Sequence, residues 1–233
     1  MSNQVFLNTR SNPIFIEKQP FASGGEGNIY RIVSPSKYSN QVIKLYHPEK
    51  RTPDKEGKVK FLVQNPPDAK NINGHNSVVW ATGVIYDNQG FAGLMMPYAE
   101  GDKLALLTSS KIPRKFRKKW ARFLFQNPES TKLRMALCFN IAAAVYQIHS
   151  TGKYVLVDLK PDNIIVRPNG LVSIVDVDSM EIMDGERVLY PAAVTTPEFA
   201  PPEFHKDVQP GKTPIFPTWD SYSLGIIFYK LIF

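Results

Sequence analysis

Cysteine is almost absent from this chain of 233 residues, which contains a single one, Cys138. One thiol cannot form a disulfide framework, and its position within a helical pattern indicates core packing in a reducing compartment. The sequence also lacks any apolar run of the about 18 residues that a membrane span needs. Its N-terminus has no basic segment leading into an apolar stretch. We therefore expect a soluble, cytoplasmic protein with no membrane partner.

Acidic residues are missing from residues 111–122, KIPRKFRKKWAR, which contain seven basic residues. The whole chain has 28 Lys and Arg against 21 Asp and Glu, a formal charge of +7, so the remainder is close to neutral. Phe116, Trp120 and Phe123 are interleaved with the basic residues, which predicts a solvated amphipathic helix whose rings pack on the protein. Binding of RNA, DNA or an acidic protein is the alternative that the sequence favours less.

Apolar residues make up 43% of the chain and aromatic residues 12%, which indicates a packed globular protein. Short strand patterns precede longer helical patterns, which predicts an α+β fold. Strands are predicted at 28–34, 41–46, 78–86 and 91–96, and helices at 55–65, 131–149 and from 220 onward. We expect a small, mostly antiparallel N-terminal lobe at 1–98 and a mainly helical second lobe at 99–233.

Three polar side chains stand at fixed offsets around a predicted hairpin. Asp158 and Asn163 lie five residues apart, and Asp176 follows after thirteen more, across IIV, the turn RPNG and LVSIV. All three are side chains that can bind a metal ion or take part in proton transfer, and a short hairpin brings its two ends together. A surface loop with turn-forming Asp and Asn is the alternative interpretation.

The segment YVLVDLKPDNIIVRPNGLVSIVDVDS, residues 154–179, resembles the His-Arg-Asp loop and Asp-Phe-Gly segment of protein kinases. The resemblance implies a bilobal protein-kinase-like fold that uses ATP and Mg²⁺, with Mn²⁺ as an alternative. It implies that Asp158 orients the acceptor hydroxyl and Lys160 steadies the transferring phosphoryl group. By the same resemblance, Asn163 and Asp176 bind the metal ions.

Four residues of this segment depart from the family pattern: Leu156, Val157, Val177 and Asp178. The resulting D-V-D-S resembles a group of bacterial kinases that carry D-x-D-S. Local hydrogen bonding by Asp178 is favoured over a metal contact. Since Val157 replaces the Arg that holds a phosphate, we expect phosphorylation of Thr195 or Thr196 not to be required.

The nucleotide-binding residues are also implied by resemblance. FASGGEGNIY at 21–30 is similar to a kinase glycine-rich loop, VIKLY at 42–46 to the strand with the phosphate-binding Lys, and FAGLMMPYAEGDKL at 91–104 to the gatekeeper and hinge. The Glu that pairs with this Lys is assigned to Glu56. The implied nucleotide-binding set is Gly24, Gly25, Gly27, Ile29, Val42, Lys44, Glu56, Met96, Pro97, Ala99 and Ile165.

The C-terminal part of the chain points to a protein acceptor. TTPEFAPPEF at 195–204 is similar to the end of a kinase activation segment, and WDSYSLG at 219–225 to the start of the large buried helix. The chain then stops at Phe233, where the family continues, so the resemblance implies a C-terminally incomplete lobe. Apolar residues at 226–233 would face water unless a partner or a second copy covers them.

The resemblance therefore implies transfer of the γ-phosphate of ATP to Ser or Thr of a protein substrate. An ATP-binding scaffold or pseudokinase is the main alternative, motivated by the absent His-Arg and the uncertain Glu56. A kinase-like enzyme that acts on a small molecule, or that transfers AMP, would retain the same ligands.

Overall fold

The computed structural model describes residues 3–8, 12–67, 75–109, 111–192, 195–204, 208 and 213–233. The chain forms two compact units: Met1–Pro66 with Val79–Tyr98, and Pro67–Val78 with Ala99–Phe233. The longer range of the second unit begins at residue 99, which is the first residue of the second lobe predicted from the sequence. Residues 67–78 differ from that prediction, because they belong to the second unit.

The first unit consists of a seven-stranded antiparallel sheet and one helix. The strands are β1 (Asn3–Leu7), β2 (Pro13–Ile16), β3 (Ala22–Ser23), β4 (Gly27–Ser34), β5 (Gln41–Tyr46), β6 (Gly83–Asp87) and β7 (Gly90–Pro97). Their order in the sheet is β2-β1-β6-β7-β5-β4-β3, and β2 also pairs with β4. The helix α1 (Pro53–Gln64) follows Thr52, whose hydroxyl accepts a hydrogen bond from the Lys55 amide and so caps the helix.

Strands β1 and β2 are missing from the sequence-based assignment, yet they supply half of the buried residues in the main core cluster of the sheet. That cluster contains Val5, Leu7, Ile14, Ile16, Ile43, Ile85, Ala92 and Met95. The signal was a short alternation, with Val5 and Leu7 in one strand and Ile14 and Ile16 in the next pointing inward. Alternation over so few residues gives weak evidence of a strand.

Two glycines fix the position of β5. A methyl group on Gly27 would overlap the Leu45 carbonyl oxygen, and one on Gly93 would overlap the Lys44 carbonyl oxygen. Gly27 lies in β4 and Gly93 in β7, the two neighbours of β5. The sequence assigns Gly27 to phosphate approach, but the structure adds a second reason for glycine there, which is the close approach of two strands.

The second unit is mainly helical and also contains small sheets whose strands are largely buried. Its helices are α2 (Ala105–Thr108), α3 (Arg114–Arg117), α4 (Ser130–His149) and α5 (Thr218–Ile232). One sheet contains β8 (Asp102–Lys103), β10 (Ile164–Val166) and β11 (Val172–Ile174), and the other contains β9 (Tyr154–Val155), β12 (Glu181–Asp184) and β13 (Arg187–Tyr190). Helix α4 packs against β11 and α5, and its buried stripe includes Leu137, Ile141, Ala144, Val145 and Ile148.

Three sequence predictions need correction here. The strand predicted to start at Val78 starts at Gly83, because Val78 instead bridges Ile174 in the second unit. The basic segment 111–122 forms no continuous helix but the short helix α3 and the start of a 3-10 turn at Ala121–Phe123. Trp120 and Phe123 are buried as expected, and Phe116 is half-buried. Trp120 is held by a hydrogen bond from its indole nitrogen to Asp102 at 2.9 Å.

The third correction concerns the apolar residues of α5. Ile227 and Leu231 are fully buried, since α5 packs against α4, and Phe233 alone of the predicted set is largely exposed, at 83%. Ile226, Phe228 and Ile232 are half-buried. The apolar surface of this helix is therefore smaller than predicted, and it includes the adjacent, tilted rings of Tyr229 and Phe233.

Among the described residues, no helix combines the length and the apolar character that crossing a lipid bilayer would require.

Candidate active site

Asp158 is the centre of a hydrogen-bonded cluster in the second unit. Its side chain is buried, with 6% of the residue exposed. One carboxylate oxygen accepts a hydrogen bond from the Lys160 ammonium at 2.7 Å, and the other accepts from the Thr196 hydroxyl at 2.7 Å. Lys160 also donates to the Thr196 oxygen at 2.8 Å, so each of the three residues is hydrogen-bonded to the other two. Charge-assisted hydrogen bonds of this length hold a carboxylate in one orientation.

The backbone before Asp158 is held by Asp220, a fully buried residue of α5. Its carboxylate accepts hydrogen bonds from the amides of Leu156 at 2.8 Å and Val157 at 2.9 Å. His149 Nε2, at the end of α4, lies 2.7 Å from the same carboxylate. Val157 has φ of 65°, a left-handed conformation that a β-branched residue adopts only when its surroundings impose it.

Asn163 and Asp176 leave the same end of a hairpin, as the spacing predicts. Strands β10 and β11 pair Ile164 with Ile174, and the Val175 amide donates to the Asn163 carbonyl at 2.9 Å. The Asn163 side chain donates to the Asp158 carbonyl at 2.9 Å and to its carboxylate at 3.3 Å. The hairpin therefore places the predicted metal-binding amide directly against the predicted catalytic carboxylate.

A second carboxylate accompanies Asp176. Asp176 has φ of 65° and opens a short 3-10 turn, Val177–Ser179, whose Ser179 hydroxyl donates to the Asp176 carbonyl at 2.7 Å. This turn brings an oxygen of Asp178 within 4.8 Å of an oxygen of Asp176, and Asp178 is 1% exposed. Carboxylate and amide oxygens are the ligands that Mg²⁺ prefers. Asp176 and Asp178 therefore offer oxygens of the type that suits a magnesium ion, and the role of Asn163 as a ligand stays a prediction.

In the first unit, Lys44 pairs with Glu26. The Lys44 ammonium lies 3.3 Å from the Glu26 carboxylate, and Lys55 of α1 contacts the same carboxylate at 3.1 Å. Glu26 stands in the turn between β3 and β4, within the predicted glycine-rich loop. Lys44 is 5% exposed, and a lysine buried to this degree needs an anionic partner.

The prediction that Glu56 pairs with Lys44 is wrong. Glu56 forms an ion pair with Lys60, one turn further along α1, and accepts a hydrogen bond from Tyr86. The hydrogen bond from Lys60 is the main cause that holds the pKa of Glu56 below its ordinary value. The physical reason is helical position, since the buried face of α1 carries Lys58, Val59 and Leu62 and not Glu56.

The other predicted nucleotide-binding residues occupy defined positions in their own units. Gly24 and Gly25 are exposed in the β3–β4 turn, where the Gly24 amide donates to the Gly27 carbonyl at 2.9 Å. Further along the sheet, Ile29 pairs with Lys44 and Val42 with Met96. Pro97 ends β7, Ala99 begins the main part of the second unit, and Ile165 lies in β10 opposite Lys103. Their roles toward adenine stay predictions.

Sequence reasoning assigned no site role to four residues that the structure connects to the site. Thr196 contacts Asp158 and Lys160 directly, and Asp220 with His149 supports the loop before Asp158. Glu26 pairs with Lys44. A signal existed for Asp220, because it stands in the WDSYSLG motif, and for Glu26, because it is the acidic residue of the glycine-rich loop.

Comparisons with known proteins agree on one family. The family model described as protein kinase domain matches residues 15–233. The human serine/threonine-protein kinase MRCK alpha is 31% identical over 166 residues, covering 70% of this chain and 8% of that protein. The mouse serine/threonine-protein kinase MRCK gamma is 29% identical over 166 residues, covering 70% of this chain and 10% of that protein. The chain thus spans about a tenth of the length of these relatives.

A solved structure shows the same fold. It is described as the ROP18 kinase domain in complex with AMP-PNP and sucrose, and it aligns with a TM-score of 0.64 at 16% identity. The alignment covers 99% of this chain and 67% of that chain. At this identity the likeness concerns the fold alone, and it confirms the predicted α+β architecture.

Proposed function

Since this chain belongs to the protein kinase domain family, we propose that it transfers the γ-phosphate of ATP to Ser or Thr residues of a protein substrate. The observation that carries the proposal is the ring of contacts among Asp158, Lys160 and Thr196. Relatives described as serine/threonine-protein kinases support the choice of acceptor.

Asp158 is suited to orient an acceptor hydroxyl. Its carboxylate is buried and fixed by Lys160 and Thr196, and an ionised carboxylate accepts a hydrogen bond from an alcohol that approaches it. Lys160 places a positive charge 2.7 Å from this carboxylate, where negative charge on a transferring phosphoryl group would be stabilised. Most of the catalytic effect then comes from positioning and electrostatics, as expected for phosphoryl transfer.

Magnesium is the metal that we propose, held by Asn163 and Asp176, with Asp178 as an added ligand; Mn²⁺ would suit the same oxygens. The bound ion would neutralise charge on the ATP phosphates. The chain's own contribution is a hairpin that brings Asp176 to the same end as Asn163, whose side-chain nitrogen donates to the Asp158 carbonyl. Chelation with EDTA should therefore abolish transfer, and Mg²⁺ should restore it.

Phosphate transfer can be tested directly against the alternatives. Purified protein is incubated with Mg²⁺ and ATP labelled at the γ or the α position, with peptide libraries in which Ser, Thr or Tyr is the single acceptor. We expect γ-label in the Ser and Thr libraries and none with Asp158→Asn. Label from neither position would indicate an ATP-binding scaffold, and α-label would indicate AMP transfer.

The remaining proposals concern location and partners. We propose a cytoplasmic protein, supported by the single cysteine, which is half-buried in α4. The partner is a protein substrate. The exposed Tyr229 and Phe233 form an apolar site at which a partner or a second copy would bind.

A further inference from the structure

Arg134 of α4 is a buried guanidinium that pairs with no carboxylate among the described residues, and it is 2% exposed. Its Nε donates to the Phe123 carbonyl at 2.9 Å and to the Ser130 hydroxyl at 3.3 Å. Its Nη1 donates to the carbonyls of Leu107 at 3.0 Å and Leu231 at 2.7 Å. These four oxygens carry no formal charge, and burial of an unneutralised cation costs free energy. The same burial is the main cause that lowers the pKa of this guanidinium.

The third nitrogen of this guanidinium, Nη2, is open to a cavity. It makes no hydrogen bond to the part of the chain that the structure describes, where every solvent-inaccessible side-chain nitrogen and oxygen has a partner. Nη2 is therefore accessible, and Arg134 lines a cavity of about 320 Å³. The ring of Phe125 lies against the guanidinium, 4.0 Å from its central carbon, and supports the cation. The hydrogens of Nη2 are thus donors that a ligand in the cavity can reach.

The walls of this cavity contribute two further cations and no acid. Lys111 and Arg117 line it, and none of its lining residues is Asp or Glu. Arg117 is positioned by a hydrogen bond from its Nε to the Ile112 carbonyl at 3.2 Å, and its two terminal nitrogens bond to no described residue. A cleft that is lined by charge of one sign concentrates ions of the opposite sign. The cavity is therefore suited to an anion.

The cavity is continuous with the basic segment 111–122, because both include Lys111 and Arg117. Two of the seven basic side chains in that segment, Lys119 and Arg122, pair with carboxylates. The other five are exposed and have no carboxylate partner within the described ranges: Lys111, Arg114, Lys115, Arg117 and Lys118. The cationic surface thus extends beyond the cavity and suits a ligand with several negative charges.

We propose that this cavity binds the phosphate group of a phosphorylated Ser or Thr within an acidic peptide segment of a partner protein. A phosphate monoester carries a charge of about −1.5 to −2 at neutral pH and three strong acceptor oxygens, which match three cations better than a single carboxylate does. Guanidinium donors also fit the geometry of phosphate oxygens. Acidic residues on either side of the phosphate would contact the exposed lysines and arginines of segment 111–122.

A nucleic acid is the less suitable anion for this surface. Proteins that bind single strands present exposed aromatic rings on which the bases stack. Trp120 and Phe123 of the basic region are buried, and the exposed ring of Phe125 already lies against Arg134. The inference goes beyond phosphoryl transfer, because the cavity contains none of the residues assigned to ATP or to the acceptor.

The experiment measures by calorimetry, at physiological salt and without ATP, the affinity for a short acidic peptide with one central phosphoserine. The matched probes are the same peptide with unmodified serine, the same peptide with glutamate at that position, inorganic phosphate and a single-stranded oligothymidylate. The test variant combines Lys111→Gln with Arg117→Gln, because replacement of Arg134 would remove the donor from four oxygens of the fold. The control combines Lys132→Gln with Arg187→Gln, which removes the same charge from exposed residues outside the cavity.

We expect the phosphopeptide to bind at least tenfold more tightly than the other four probes, because they lack either the dianion or the acidic flanks. The test variant should lower phosphopeptide affinity about tenfold, since two ion pairs with the phosphate are lost. The control should stay within about twofold of the wild type, because salt screens exposed charges at a distance. If the test variant is unstable, Lys111→Gln alone should give a smaller loss in the same direction.

Several outcomes would overturn the proposal. Absent phosphopeptide binding, equal binding of the unmodified or glutamate peptide, or equal losses in the test and control variants would each contradict it. Tighter binding of oligothymidylate would assign the surface to nucleic acid, and inorganic phosphate that binds as tightly as the phosphopeptide would assign the cavity to a small phosphate. Since no turnover is measured, the result is independent of whether the chain transfers γ-phosphate.

Discussion

Two lysine–carboxylate clusters, one around Asp158 and one around Glu26, differ in how their residues are brought together. Lys160 contacts Asp158 from two residues away, at 2.7 Å, within a single loop. Lys44 contacts Glu26 from 18 residues away, at 3.3 Å, and α1 adds Lys55 from further along the chain. The first pairing follows from local spacing and the second from the packing of a turn, a strand and a helix.

This difference has a functional meaning. The Asp158 cluster is fixed by hydrogen bonds from Lys160, Thr196 and Asn163, and the loop before it by Asp220, so it is suited to chemistry that needs one geometry. The Lys44 cluster joins a turn, a strand and a helix of the first unit, and in the proposed function Lys44 contacts the ATP phosphates. Substitutions should therefore separate a loss of turnover in one unit from a loss of ATP affinity in the other.

The largest effect is expected for Asp158→Asn. Loss of the ionised carboxylate should lower kcat about 10³-fold, the range of a positioned acid or base, while ATP affinity changes little. The measurement is γ-phosphate transfer under saturating ATP. Asp162→Asn is the control, because Asp162 stands in the same loop but forms an exposed pair with Lys103. A decrease in ATP affinity as large as the decrease in kcat would erase the contrast between the two clusters.

The next effect concerns the support of the Asp158 loop. Asp220→Ala should lower the free energy of unfolding by about 3 kcal/mol, because it leaves the amides of Leu156 and Val157 buried without their acceptor. Chemical denaturation measures this change. Ser221→Ala, at the adjacent exposed residue, should stay within about 0.5 kcal/mol of the wild type. If both variants were equally stable, Asp220 would not be what holds the loop.

A smaller effect is expected for Thr196. Thr196→Ala should lower kcat about tenfold, because one hydrogen bond to the Asp158 carboxylate is lost. Thr196→Ser keeps the hydroxyl and should retain most of the wild-type kcat. Thr195→Ala should have almost no effect, because the Thr195 hydroxyl makes only a 3.3 Å contact with the Val157 carbonyl. The activity that Thr196→Ala retains would agree with the expectation that loop phosphorylation is not required, because alanine has no hydroxyl to phosphorylate. Inactive Thr196→Ser would contradict the role of this hydroxyl.

The smallest effect is expected for Glu56→Gln. Its ion pair with Lys60 is partly exposed, so the free energy of unfolding should fall by less than about 1 kcal/mol. ATP affinity should be unchanged, because Glu56 pairs with Lys60 and Tyr86. Calorimetric titration with ATP checks this, and a tenfold loss of affinity would restore Glu56 as the partner of Lys44.

Local patterns in the sequence predicted much of the second unit. The hairpin that joins Asn163 to Asp176 and the buried stripe of α4 follow from short periodicities and turn residues, and both are present. The motif also identified Asp158 and Lys160, whose side chains form a hydrogen bond in the structure. These features depend on contacts between residues that are close in sequence.

Long-range pairings could not be predicted in the same way. Glu56 was chosen for Lys44 by its place on the next helix, but the sequence does not reveal which face of a 12-residue helix will be buried. The contact of Asp220 with Leu156 spans 64 residues, and that of Thr196 with Asp158 spans 38. Strands β1 and β2 were missed because their alternation is short.

The glycines on either side of β5 have a consequence for how this protein tolerates mutation. Gly27 and Gly93 leave no room for a methyl group next to the carbonyls of Leu45 and Lys44. In a saturation mutagenesis screen scored for folded protein, both positions should reject every substitution, including alanine, whereas exposed Gly25, which has open space around it, should accept several. The position of Lys44 in β5 therefore depends partly on Gly27 and Gly93, two neighbouring residues that have no side chain.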